Sequence, residues 1–306
     1  MTLANYFAYW DNFIQIWKAA NTAASFEQRQ KKLILSFFPK ASNELVEQLV
    51  FKYPGKISNE PSGKNNSFEY LPEPYWGFTP KSQKPLEYVV VNYNPASGGS
   101  CQERSHNNIK KINSYESYVG EQLELYSKLL LAGDIRKNNS PKPSQFATTN
   151  WHNSRRAHKL SDLRLESPTQ YYSCKTEPAV FNYLGIDLAP WHSKGISDLN
   201  GYIEDNAQAV IHFSLYFAIE AARTIQNPLF RNKIIMRTNL TNFVKYFPNT
   251  SGFKYQIKNS IKHGETYTMQ NISLVHYPGI KIILVWGKTC QNNLPNHEFM
   301  RKVLKK

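Results

Sequence analysis

The chain has 306 residues, with 37 Lys and Arg against 23 Asp and Glu, a formal net charge of +14. That length suits one large domain or two small ones, and a hydrophobic share of 41% is enough to build a core. The positive balance favours a polyanionic partner, nucleic acid being the commonest. The three cysteines, Cys101, Cys174 and Cys290, form no CxxC pair, which argues against a zinc ribbon or a thioredoxin-like motif and suits a reducing compartment. No basic leader precedes an apolar stretch at the N-terminus, and no apolar run nears the roughly 20 residues of a membrane helix. A cytoplasmic protein with no membrane partner is expected.

In chain order, Tyr6, Phe7, Trp10, Phe13, Ile14 and Trp17 repeat at helical spacing, which predicts a helix over 3–20 that packs its aromatic stripe on the domain. Ser42 and Glu44 announce a second helix from Asn43 to Lys52. Residues 55–69 read as a polar loop. The prolines of Tyr70-Leu71-Pro72-Glu73-Pro74-Tyr75-Trp76-Gly77 impose an extended approach. Leu86 to Tyr93 is a buried strand that Asn94-Pro95 ends.

A helix follows from Glu116 to Ala132, then a long polar tract over 133–178 with four prolines. Val180 to Leu188 is the next strand. Asp198 caps a long helix that Asn227-Pro228 stops. Lys233 to Arg237 and Ile280 to Trp286 are further strands, and Asn296 to Lys305 is a terminal helix with a basic end. This alternation predicts an α/β fold, a central mainly parallel sheet with helices on both faces.

Ligands of open α/β sheets sit outside the carboxyl ends of the strands. Three polar segments fall there. In Asn94-Pro95-Ala96-Ser97-Gly98-Gly99, a rigid turn leads into glycines whose backbone N–H groups can hold an anion. Trp191-His192-Ser193-Lys194 offers a ring for stacking, an imidazole, a hydroxyl and a cation. Thr289 and Asn292 follow the last strand. In the polar tract, Arg155, Arg156 and Lys159 beside Trp151 are candidates for nucleic-acid binding. His152, His158, His212, His276 and His297 show no metal-ligand spacing, so no metal site is expected. The chain holds no P-loop, no G-x-G-x-x-G and no G-x-S-x-G, so no cofactor is expected either.

The run Val89-Val90-Val91-Asn92-Tyr93-Asn94-Pro95 followed by small residues resembles the first active-site motif of the uracil-DNA glycosylase superfamily. Leu71 to Gly77 and Pro190 to Lys194 look like segments of uncharacterised bacterial relatives of that superfamily. The resemblance implies a glycosylase-like α/β domain over 70–306, with a long insertion at about 133–178. Residues 1–69 would be an N-terminal helical segment packed on it. It also implies that a base flipped from DNA is bound and its N-glycosidic bond hydrolysed, Asn94 positioning the attacking water. Ala96 stands where the motif usually has Gly. The superfamily's His-Pro-Ser-type second motif is absent: the chain reads Lys288 to His297 there, and His276-Tyr277-Pro278 is its nearest echo. His192, or Thr289 and Asn292, would then stabilise the leaving base. The alternatives are a non-catalytic nucleic-acid or nucleotide-binding module of the same fold, and a hydrolase of a small phosphorylated or nucleoside substrate.

Overall fold

The computed structural model describes residues 2–20, 26–37, 73–82, 84–93, 113–120, 182–190, 208–263, 267–287 and 297–305, with the single positions 43 and 294. Helix α1 (Leu3–Ala20) buries its whole aromatic stripe. Tyr6 lies 4.5 Å from the Phe217 ring and 5.9 Å from Tyr75, and its hydroxyl donates to the Pro74 carbonyl at 3.2 Å. Helix α2 (Phe26–Phe37) packs on α1 and buries Leu33 and Ile34. Its polar first half, Glu27-Gln28-Arg29-Gln30, hides it from a search for apolar stripes. Of the helix expected at 43–52 only Asn43 is described, and that expected at 116–132 is described over 116–120 only.

Seven strands make one sheet: β1 (Tyr75–Gly77), β2 (Tyr88–Asn92), β3 (Tyr183–Asp187), β4 (Lys233–Met236), β5 (Tyr255–His263), β6 (Tyr267–Leu274) and β7 (Lys281–Gly287). Their spatial order is β1-β3-β2-β4-β7-β6-β5. The four central strands, β3, β2, β4 and β7, run parallel, while β1 at one margin and β6 and β5 at the other are antiparallel. Three of the strand pairings are parallel and three antiparallel, which makes an open mixed α/β sheet. The parallel strands are covered on both faces and read as continuous apolar runs such as Val89-Val90-Val91 and Ile282-Ile283-Leu284. Strand β5 carries exposed Gln256, Lys258, Ser260 and Lys262, a composition that masks a strand wetted by solvent.

Helix α3 (Gln208–Thr224) carries the chain from β3 to β4 and packs on β2, β3 and β4. It stops short of Asn227-Pro228, where the Asn227 side chain accepts from the Leu229 N–H at 3.0 Å. Helix α4 (Leu240–Tyr246) is capped by Asn239, whose Oδ1 accepts from the Asn242 N–H at 2.8 Å. Helix α5 (His297–Leu304) buries Phe299, Met300, Val303 and Leu304. The Lys233 ammonium donates to the Leu304 carbonyl at 2.6 Å and the Leu229 carbonyl at 2.9 Å, tying the end of α5 to the start of β4. No described helix is long and apolar enough to cross a membrane.

Candidate functional site at the carboxyl edge of the parallel strands

The chain goes from β2 to β3 on one side and then crosses to β4 on the other, so the strand order reverses between β2 and β4. Open α/β sheets form their ligand crevice at such a switch point, outside the carboxyl ends. Three polar side chains stand there in a row. Asn92 ends β2 and is in register with Asp187, which ends β3. Arg237 follows β4, its N–H donating to the Val91 carbonyl at 3.0 Å and its Nη1 to Asn92 Oδ1 at 3.4 Å. Asp187 and Asn92 are buried, at 3% and 8% exposure.

One residue further on, the hydroxyls of Tyr93 and Thr238 share a short hydrogen bond, and the Tyr93 ring lies 5.1 Å from Tyr246. Burial raises the Tyr93 phenol, with the Thr238 hydrogen bond acting against it, and pushes Tyr246 up to about 12, so both stay neutral at ordinary pH. The Leu188 N–H donates to the Asn92 carbonyl at 3.0 Å and the Ala189 N–H to the Tyr93 carbonyl at 2.7 Å. The segments leaving β2 and β3 thus start side by side. Glu73 closes the far end of this edge, its N–H donating to the Pro190 carbonyl at 2.8 Å. Desolvation pushes its buried carboxyl up to about 7.

The row combines a carboxylate that can take a proton, an amide that can hold a water and a guanidinium that can stabilise an anion. Comparison of the chain with models of known protein families, with curated proteins and with solved structures gives no match. What this edge does must be read from its own chemistry.

Asn94, Pro95, Ser97, Gly98, Trp191, His192, Ser193, Lys194, Thr289 and Asn292 lie outside the described residues, as do Trp151, Arg155, Arg156 and Lys159. Their described neighbours Tyr93, Pro190 and Gly287 stand just beyond β2, just beyond β3 and at the end of β7. The His276-Tyr277-Pro278 echo falls in the turn between β6 and β7, at the opposite, amino edge of the parallel strands. There His276 Nε2 meets the Ser251 carbonyl at 2.9 Å. It cannot serve a site at the carboxyl edge. Asp187, Arg237 and Thr238 are overshadowed in the sequence by the more conspicuous loops beyond the strands. A signal is present all the same, since each is a polar residue at the end of an apolar run.

Two further cavities are lined by described residues, one along α3 and one at the amino end of β4. One, of about 470 Å³, is walled by Phe213, Tyr216, Phe253 and Tyr277 around His212. Burial lowers the His212 pKa, a hydrogen bond to the Tyr246 backbone opposing it. The other, of about 480 Å³, is bordered by Lys233, Arg301 and Lys305. No cluster of three or more His, Cys, Asp or Glu side chains forms a metal cage among the described residues.

Proposed function

We propose that the chain is a nucleic-acid-binding protein, with DNA as its partner, that admits a flipped base to the carboxyl edge and hydrolyses its N-glycosidic bond. The observation that carries the reading is the Asp187–Asn92–Arg237 row at the switch point of the sheet. Breaking the bond to the base builds positive character on the sugar and negative charge on the base. A water oxygen would bond to C1′ as the bond to the base nitrogen breaks, its electron pair leaving with the base. Asp187 would take the water's proton, Asn92 and Asn94 would hold that water, and Arg237 with His192 would stabilise the departing base. The resemblance of Val89 to Pro95 to a glycosylase motif supports the same strand end, and the +14 charge supports a polyanionic partner.

Burial of the same row favours a second reading. A row only 3% to 8% exposed at Asp187 and Asn92 also suits a structural polar lock beneath a non-catalytic binding surface. Strand-cleavage assays on oligonucleotides carrying uracil and other altered bases separate the two. The first reading expects excision from at least one substrate, lost in Asp187→Asn and Arg237→Ala while DNA binding persists. Salt-dependent binding with no excision across the panel decides for the second.

A further inference from the structure

We propose that the β7–β6–β5 half of the sheet is a platform for single-stranded DNA, with Trp286 stacking on a base and Lys262 meeting a phosphate. The inference rests on the reading that the partner is nucleic acid, and it names the form of that partner. Trp286 is in register with Thr268, and Thr268 with Lys262. The three side chains therefore form one row across three strands on one face of the sheet. Strand spacing puts the backbones of Trp286 and Lys262 about 10 Å apart, a gap that a lysine side chain and one nucleotide bridge together. Thr268 between them is short and leaves the surface open.

The indole is 39% exposed, unlike the buried Trp10, Trp17 and Trp76. Ile257, on the same half of the sheet, is exposed as well. Charge points the same way. Residues 254–287 carry four lysines, Lys254, Lys258, Lys262 and Lys281, against one acid, Glu265. Lys262 shares the face of Trp286, while alternation along β7 puts Lys281 on the other face. From residue 206 onward the chain has fourteen Lys and Arg against three Glu, a formal +11 out of the total of +14. The surface pairs an aromatic ring with the Lys262 ammonium in a basic part of the chain, the combination that holds single strands by stacking and phosphate neutralisation.

A duplex buries its base faces except at its ends, so an indole on an open sheet stacks only on an unpaired base. Strands β5 and β7 both end at the carboxyl edge, because β6 is antiparallel to each. Trp286 therefore stands near that edge, on the face that Val91, Met236 and Leu284 share and opposite the one that carries Asn92.

The test measures fluorescence anisotropy of the full chain with a labelled oligothymidylate of about 15 nucleotides, near the upper end of site sizes on such surfaces, and with a blunt duplex of equal length. Trp286→Ala should lower single-strand affinity about tenfold, the loss of one stacked base, and leave duplex affinity unchanged. Trp286→Phe should keep most of the binding, because it retains a ring. Lys262→Ala should reduce the salt slope for the single strand by about 0.7, as expected when one phosphate is no longer neutralised. Single-strand binding unchanged in Trp286→Ala, or an equal loss on single strand and duplex, overturns the platform. A platform that fails while the wild type excises bases leaves the proposed hydrolysis standing. A platform that passes in a protein that excises nothing removes the hydrolysis alone.

Discussion

The two halves of the sheet are made from different sequence patterns and carry different liabilities. In the parallel half, β3, β2 and β4 lie under α3, and α1 adds a layer of rings whose Tyr6 reaches Tyr75, Phe213 and Phe217. Its strands are apolar inside, and polar groups gather at their ends. In the antiparallel half, β5 and β6 form a hairpin whose outer strand exposes lysines and Ile257. The first half concentrates packing energy and a buried polar row. The second half offers a wet, cationic surface whose side chains can change with little effect on the fold. A site that must hold geometry belongs to the first half and a surface that must meet a polyanion to the second, and mutations should divide along that line.

The largest effect should come from Tyr6→Ala. The ring is fully buried among Phe7, Trp10, Tyr75 and Phe217, and its hydroxyl is satisfied by the Pro74 carbonyl. Removing it leaves a cavity between α1 and the sheet and should cost about 3–5 kcal/mol in urea unfolding. Ile257→Ala in the other half, at 49% exposure, should cost less than about 1 kcal/mol. Equal losses from the two would break the contrast.

The next effect depends on pH. The Glu73 carboxyl titrates at about 7 in the fold against 4.5 ordinarily, because burial disfavours its charged form. Between those values the folded chain keeps a proton that the unfolded chain has released. Stability should therefore fall as pH rises from about 4.5 to about 7 and level off above. At 1.36 kcal/mol per pH unit the loss reaches about 3 kcal/mol at most. Glu73→Gln, neutral at every pH, should flatten that slope and be the more stable protein at pH 8, a comparison that urea melts at about pH 5 and pH 8 make directly. Parallel pH profiles for variant and wild type would show that Glu73 reaches solvent.

The same contrast governs what is legible in the sequence. The aromatic stripe of α1 and the strands β2, β3, β4 and β7 are readable because burial on both faces forces long apolar runs and burial on one face forces helical spacing. Strands β5 and β6 are not, since Lys258, Lys262, Gln270 and Asn271 resemble a loop until a partner strand is known. Helix α4 has seven residues, too few for a periodic signal, and only Asn239 marks its start. At the candidate site, position can be read but identity cannot. The rule that ligands gather at carboxyl ends points to the right edge for Asn92 and Asp187, while the pairing of Arg237 with Asn92 across 145 residues depends on β4 lying beside β2. No local pattern encodes that adjacency.

A smaller effect belongs to the junction between the halves. Asn239→Ala removes the oxygen that accepts from the Asn242 N–H and should lower stability by about 1 kcal/mol. Asn239→Asp should keep the cap and hold the loss to a few tenths. A loss well above about 2 kcal/mol would mean that α4, through Phe243 and Tyr246, anchors the parallel half more firmly than a short surface helix should.

The smallest effect tests why the outer half is cationic at all. Strand β5 ends the sheet in the described structure and is nine residues long, which makes it a template for pairing with another chain. The opposite margin is protected differently, by a β1 of only three residues preceded by Pro74. Lysines on an edge strand can serve as protection against aggregation without any ligand. The double variant Lys258→Thr with Lys262→Thr keeps β propensity and should change unfolding free energy by less than about 0.5 kcal/mol, since both side chains are exposed. If the lysines only guard the edge, the variant should self-associate on light scattering and bind oligothymidylate as the wild type does. If they face a phosphate chain, binding should weaken and its salt slope should fall by about 0.7 for each phosphate left without its lysine, whether or not the protein stays monomeric. The salt slope decides between the two, because edge protection changes solubility and leaves the number of ions released on binding untouched.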